Sequence, residues 1–165
     1  MNREIVKYPD PVLKKKAEKV KEITPEVKKL IGEMKEIVRA DETTVGLAAS
    51  QVGVSKRIIV VQIEKGPVAF LNPEIVEKGK ETEVMEEGCL SLPEIFLKIK
   101  RWKRVKVRAL DEEGREIKVK AAGFIARIFQ QEIDHLNGVL FLDRLLEQKK
   151  PLYKLEKDAW EEVEL

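Results

Sequence analysis

The sequence predicts an α+β domain, and three observations carry that reading. Between residues 58 and 121 one β-branched or alternating run follows another, separated by turn residues and by no helical period, which argues for antiparallel pairing. Before that region, apolar residues recur with a helical period after Thr24-Pro25. After it, a second helical stripe carries polar side chains where core residues belong. At 165 residues the chain has single-domain length and can bury roughly 70% of its unfolded surface, so residues 1–165 are expected to form one domain.

The elements follow in order. Residues 1–23 open on the turn Pro9-Asp10-Pro11 and continue as a Lys-rich arm anchored by Val12, Leu13, Ala17 and Val20. Thr24 is an N-cap with proline at the first helical position; Val27, Leu30, Ile31, Met34, Ile37 and Val38 then form one apolar face to about Ala40. In Val45-Gly46-Leu47-Ala48-Ala49-Ser50-Gln51 small residues allow close backbone approach. Ile58 to Ile63 predicts a strand, with shorter strands at Val68–Leu71 and Ile75–Glu77 punctuated by Gly66-Pro67 and Asn72-Pro73. Lys98 to Leu110 alternates basic and apolar residues, as the wet side of a sheet does. Asp111 to Gly114 turns into Glu116–Ala121 and completes a hairpin. The polar-striped helix follows and stops at Asn137-Gly138. Val139–Leu142 predicts one more short strand, and Pro151–Leu165 a terminal helix with Leu152, Leu155, Ala159 and Val163 along one side and Trp160 beside it.

Composition narrows the function. Charged residues make up 38% of the chain, yet 32 Lys+Arg against 30 Asp+Glu leave a net charge of +2. That balance implies neither a nucleic-acid nor a membrane partner. The interleaved Lys and Glu fit a heat-adapted surface of ion pairs. Met1-Asn2-Arg3-Glu4 lacks an apolar h-region and no stretch reaches about 18 apolar residues, so a cytoplasmic location is expected.

Chemistry concentrates in Phe129-Gln130-Gln131-Glu132-Ile133-Asp134-His135-Leu136, which holds the one histidine. Phe124 and Ile128 set a stripe whose next members are Gln131 and His135. A buried amide or imidazole left unpaired costs about 1–3 kcal/mol, so water, a neighbouring side chain or a metal must satisfy each. Glu132 lies about 100° around the helix from Gln131, within reach of the same cavity. The pattern is His-Glu-x-x-His with Gln131 in the first histidine's place; in the intact motif two imidazoles hold a cation and the glutamate manages the proton of its water. The lone Cys89 makes no internal disulfide and is a buried small residue, a reactive thiol or a ligand. His135 is equally open as a core histidine, and Gln51 as a structural amide.

Three segments assemble in order: Gly46 to Gln51, Glu87-Gly88-Cys89-Leu90-Ser91, and Gln131 to His135. In these residues the chain resembles the peptide deformylase family, marked by Gly-x-Gly-Leu-Ala-Ala-x-Gln, Glu-Gly-Cys-Leu-Ser and Gln-His-Glu-x-Asp-His-Leu. Tyr8-Pro9-Asp10-Pro11-Val12-Leu13 and Asn72-Pro73 extend the resemblance over nearly the full length. It implies small antiparallel sheets around a central helix carrying the Gln-Glu-x-x-His motif. It also implies metal-dependent hydrolysis of the N-formyl group from the N-terminal formyl-methionine of nascent proteins. One Fe2+ per chain, replaceable by Zn2+ or Ni2+, would be the cofactor. A formyl-methionyl peptide or nascent chain would be the partner, with the ribosome nearby and no specific nucleic acid.

The resemblance implies Cys89 and His135 as metal ligands with Gln131 in the third position, and Glu132 as catalytic acid/base. Gln51 and the backbone N–H of Leu90 would be donors to the formyl oxygen. Gly46, Phe124 and Ile128 would line the substrate slot, and Glu87 and Arg101 would form a supporting ion pair. Two positions depart from the family pattern: Gln131 replaces a histidine, and Thr44 replaces the first glycine of Gly-x-Gly. A carbonyl oxygen is a poorer donor than imidazole to a borderline metal. The expectation is therefore a deformylase-type hydrolase acting on a linear amide, set against a catalytically inactive homologue that binds peptide termini or serves as an interaction module.

Overall fold

In a computed structural model, residues 3–140, 143–144, 152–156 and 159–163 are described. A 3-10 turn at Pro11–Lys14 buries Leu13 and leads to helix α1, Pro25–Ala40. Thr24 caps α1 as predicted, its hydroxyl accepting from the Val27 N–H at 3.2 Å, and Val27, Leu30, Ile31, Met34 and Val38 form the buried face. Strand β1 (Gly46–Ala48) runs into a 3-10 turn at Ala49–Val52. Strands β2 (Ile58–Ile63), β3 (Gly66–Lys78), β4 (Thr82–Cys89), β5 (Leu92–Trp102), β6 (Arg104–Leu110) and β7 (Glu116–Ala122) follow, then helix α2, Gly123–Leu136. Strands β8 (Leu152–Glu156) and β9 (Ala159–Val163) end the described chain.

Among the described residues the named strands pair antiparallel throughout, in two sheets ordered β1-β2-β3-β6-β7 and β4-β5-β8-β9. The first sheet lies between the helices. Ile59, Val61, Phe70, Val105 and Val107 pack toward Ala126, Ile128, Phe129 and Ile133 of α2. On the other face, Ile58, Val60, Ala69 and Leu71 pack toward α1. Strand β2, Ile58–Val61, is buried on both faces, which is why it reads as a continuous β-branched run rather than an alternation. The N-terminal arm closes the far end of α2. Ala17 N–H donates to Leu136 O at 2.7 Å, and Arg57 donates to the same carbonyl at 3.1 Å and to Asn137 Oδ1 at 2.8 Å. These bonds satisfy groups that a helix end otherwise leaves unpaired.

Several expectations give way to longer-range pairing. The two short strands at Val68–Leu71 and Ile75–Glu77 are one strand, β3, whose register against β6 shifts between Leu71 and Glu74. Asn72 takes φ 51° at that irregularity. Its side chain accepts from Val20 N at 2.8 Å and donates to Val20 O at 2.9 Å, so Asn72-Pro73 marks a bulge rather than a break. The alternating run Lys98–Leu110 divides at Lys103 between β5 and β6, which belong to different sheets.

The expected terminal helix is instead the hairpin β8/β9, paired to β5 through Ile95↔Lys154 and Phe96↔Tyr153. The open edge of β5 overrides a helical spacing that local sequence alone supports. Pro151, Lys157, Asp158, Glu164 and Leu165 of that expected helix lie outside the described residues. Val139 and Leu140 are irregular, not strand, because the Val139 N–H folds back to Asp134 O at 2.8 Å; Phe141 and Leu142 lie outside the described residues.

Candidate active site

Strand β1, the turn after β4, and α2 meet at a cavity of about 480 Å³. Glycine makes the meeting possible. A Cβ on Gly46 would stand 2.7 Å from Ile128 Cγ2 and 2.9 Å from Glu132 Oε2, so β1 presses directly on the inner face of α2. Gly46→Ala is expected to cost about 1–3 kcal/mol by overpacking and to displace the Glu132 carboxyl. Thermal or urea unfolding checks the first effect.

Cys89, at the end of β4, and His135, in the last turn of α2, come from opposite sides. Their Sγ and Nε2 atoms are 3.5 Å apart. The Gln51 amide spans the gap to β1: its oxygen accepts from Ala48 N at 3.0 Å, while its nitrogen points at Cys89 Sγ at 3.5 Å and Ser91 Oγ at 3.4 Å. Gln51 is thus both a tie within its loop and a donor aimed into the cavity. Gln131, one helical turn before His135, donates to Gly88 O at 3.0 Å. Leu90, Gly46 and Ile128 also line the cavity. Phe124 departs from the inward stripe: it is 50% exposed and stands at the rim, not in the core.

Glu132 is 4% exposed and its Oε1 meets no hydrogen-bond donor among the described residues. The arginines nearby are committed elsewhere, so burial, first of all, pushes its pKa up to about 8, against a downward pull from Arg101. Burial, first of all, lowers His135 to about 4, and its Nδ1 meets no hydrogen-bond partner among the described residues. Burial, with the Glu132 carboxyl nearby, raises the Cys89 thiol to about 12. Near neutral pH, without an ion, the three groups are therefore largely uncharged.

These shifts fix a pH dependence for the chelator-treated protein. Between pH 4.5 and 8 the folded chain keeps a Glu132 proton that the unfolded chain releases, so stability falls as pH rises. Between pH 4 and 6.5 the unfolded chain takes up a His135 proton that the folded chain refuses, so stability rises with pH. The two oppose each other up to pH 6.5. From pH 6.5 to 8 only the Glu132 effect remains, a loss on the order of 1–2 kcal/mol. Urea titrations at the two pH values measure it, and Glu132→Gln should flatten it.

Behind the cavity lies a buried charge cluster. Arg101 holds both Glu87 oxygens at 2.9 Å and also donates to Asp134. Arg127 donates to the same Glu87, to Ile99 O at 2.9 Å and to Glu83 O at 2.6 Å. Arg144 reaches Asp134 Oδ1 at 2.8 Å. Glu87 stands two residues before Cys89, and Asp134 is adjacent to His135. The cluster therefore fixes the strand that brings the thiol to the helix that brings the imidazole.

The Glu87–Arg101 pair is present; Arg127 escaped sequence reasoning, while Gly88, Ser91 and Asp134 were named only as members of their motifs, with no contact assigned to them. Arg127 left one signal, a cation between Ala126 and Ile128 on a helix otherwise destined for the core.

Among the described residues no three His, Cys, Asp or Glu side chains gather as a metal cluster. The donors present nonetheless fit one cation. A separation of 3.5 Å is what sulfur and nitrogen keep across a tetrahedral ion with bonds of about 2.3 and 2.0–2.1 Å, and the Gln131 amide borders the same space.

A thiol, an imidazole and a buried carboxyl thus meet in one cavity beside a strand edge. The polypeptide deformylase family profile matches residues 2–151. A peptide deformylase of Thermotoga maritima is 48% identical over 147 residues, 89% of each chain, and one of Desulforudis audaxviator is 46% identical over 142 residues, 86% of this chain and 92% of that one. The Thermotoga maritima crystal structure superposes with a TM-score of 0.84 at 48% identity, over 87% of this chain and 97% of that one. A deformylase from Synechococcus elongatus, solved in complex with actinonin, gives 0.82 at 39% identity over 86% and 78%. The chain belongs to the peptide deformylase family, whose members are metal-dependent. No helix among the described residues is long and apolar enough to cross a membrane.

Proposed function

We propose that residues 1–165 act as one domain that hydrolyses the N-formyl group from the formyl-methionine of nascent peptides. The observation that carries this reading is the convergence, in one cavity, of Cys89 Sγ and His135 Nε2 at 3.5 Å with the Gln51 amide nitrogen 3.5 Å from the same sulfur.

Cys89 and His135 would hold the ion, Fe2+ or in its place Zn2+ or Ni2+, with Gln131 in the third position. When bound, the cation supplies hydroxide near neutral pH by acidifying water. The rest is the chain's own work. Gln51 Nε2 and the Leu90 N–H donate to the formyl oxygen as charge grows on it, each well-placed donor being worth about 3–4 kcal/mol. Glu132, neutral near pH 7 in the ion-free protein, would be held as the carboxylate by a cation bound beside it; it then takes the proton from water and delivers it to the leaving amine. Gly46 lets the peptide backbone approach β1, while Ile128 and the rim residue Phe124 take the methionine side chain. Thr44, buried to 6% exposure at the same mouth, adds bulk beside that approach. The cytoplasm, beside the ribosome, is where such a substrate emerges.

The test is release of formate from a formyl-methionyl peptide by protein loaded in turn with Fe2+, Zn2+ and Ni2+. Turnover with any of them supports hydrolysis. Peptide binding without formate would instead favour the inactive homologue, the reading to which Gln131 lends weight.

A further inference from the structure

We propose that Gln131 donates its side-chain carbonyl oxygen to the metal, and that the carbonyl of Gly88 turns the amide into that orientation. The inference rests on the reading that Cys89 and His135 hold an ion, and it adds the third protein atom.

A backbone carbonyl can only accept a hydrogen bond, so the group facing Gly88 O at 3.0 Å must be the Gln131 amide nitrogen. The oxygen then lies on the other branch of the same planar group. It accepts no hydrogen bond from the described residues. Gln131 borders the cavity shared by Cys89 and His135, and its i, i+4 relation to His135 places both on one face of α2. Gly88 also precedes Cys89 directly, so strand β4 delivers the anchor of the amide and the sulfur together. Gly88 is itself seated tightly, since a Cβ there would come within 2.8 Å of the Phe96 ring.

The resulting set is thiolate, imidazole and amide oxygen. It carries one negative charge, as thiolate with two imidazoles would, so only Cys89 gives up a proton on binding. It differs in donor strength, because a carbonyl oxygen is a harder and weaker ligand for a borderline metal. The site should therefore keep its geometry while losing affinity.

The experiment uses Co2+ as the probe, titrated into chelator-treated full-length protein, with a sulfur-to-cobalt charge-transfer band and visible d–d bands as readouts. Gln131→Leu should weaken Co2+ binding at least tenfold and alter the d–d bands while the charge-transfer band persists at saturation. Unchanged affinity and bands would overturn the proposal. A second measurement needs no variant: with 13C-labelled glutamine, the Gln131 side-chain carbonyl resonance should move on stoichiometric Zn2+ addition, and a stationary resonance at saturation overturns the proposal equally. Failure of the underlying reading looks different. In that case the native protein shows no charge-transfer band, or Cys89→Ser retains it, and the Gln131 assignment falls with it.

Discussion

Glu132→Gln is expected to lower formate release by about 10²–10⁴-fold, the range by which a positioned acid/base accelerates proton transfer, while Co2+ affinity stays within a few-fold of the parent. The separation follows from position. Glu132 Oε2 lies 2.9 Å from where a Cβ on Gly46 would stand, on the β1 side of the cavity, and it is not among the residues that would hold the ion, so its carboxyl can change protonation state without giving up a ligand. An amide fits the same space without a titrating proton. The replacement should also make the metal-free protein more stable at pH 8, because it removes the burial cost of the carboxylate. Opposite signs in activity and stability mark a group retained for chemistry. Formate release within tenfold of the parent would remove Glu132 from the mechanism.

Arg101→Leu should destabilise the chain by about 3 kcal/mol, the lower part of the range for breaking a buried ion pair. Arg101 and Glu87 side chains are 4% and 2% exposed, and the leucine leaves Glu87 and Asp134 without their shared cation. Arg127 and Arg144 still face them, which keeps the loss from the upper part of that range. Activity should fall as well, through a loosened Cys89–His135 separation rather than lost contact with substrate. Chemical denaturation and Co2+ affinity together measure this, and an unchanged affinity would mean that the cluster stabilises the fold without setting the site.

What was legible in the sequence follows from how local each cause is. The start of α1 depends on Thr24 and Pro25 alone, and the β6/β7 hairpin on Asp111–Gly114, so both read directly. Cys89, Glu132 and His135 stand out because few side chains perform their chemistry and because His135 sits on an inward stripe with Glu132 close beside it.

Strand β4 passed unseen. Thr82, Glu83, Val84 and Glu86 are all exposed, so no alternation marks it; it exists because β5 pairs along its whole length. Strand β3 hid behind Asn72-Pro73, whose bulge is held by a bond to Val20, 52 positions away. The contacts of Arg127, Asp134 and Gly88 were hidden for the same reason, since they are made to distant partners. The terminal hairpin shows the converse, a convincing local period overruled by an available strand edge.

The thiol and the imidazole reach each other from different sheets: Cys89 closes a strand of the four-stranded one, while His135 rides on a helix packed against the five-stranded one. Secondary structure formed in either half alone supplies one half of an ion-binding pair and none of the chemistry. Activity is thus a gauge of how well the two layers are docked, and slight separation of the layers on warming should silence the protein while its strands and helices are still intact.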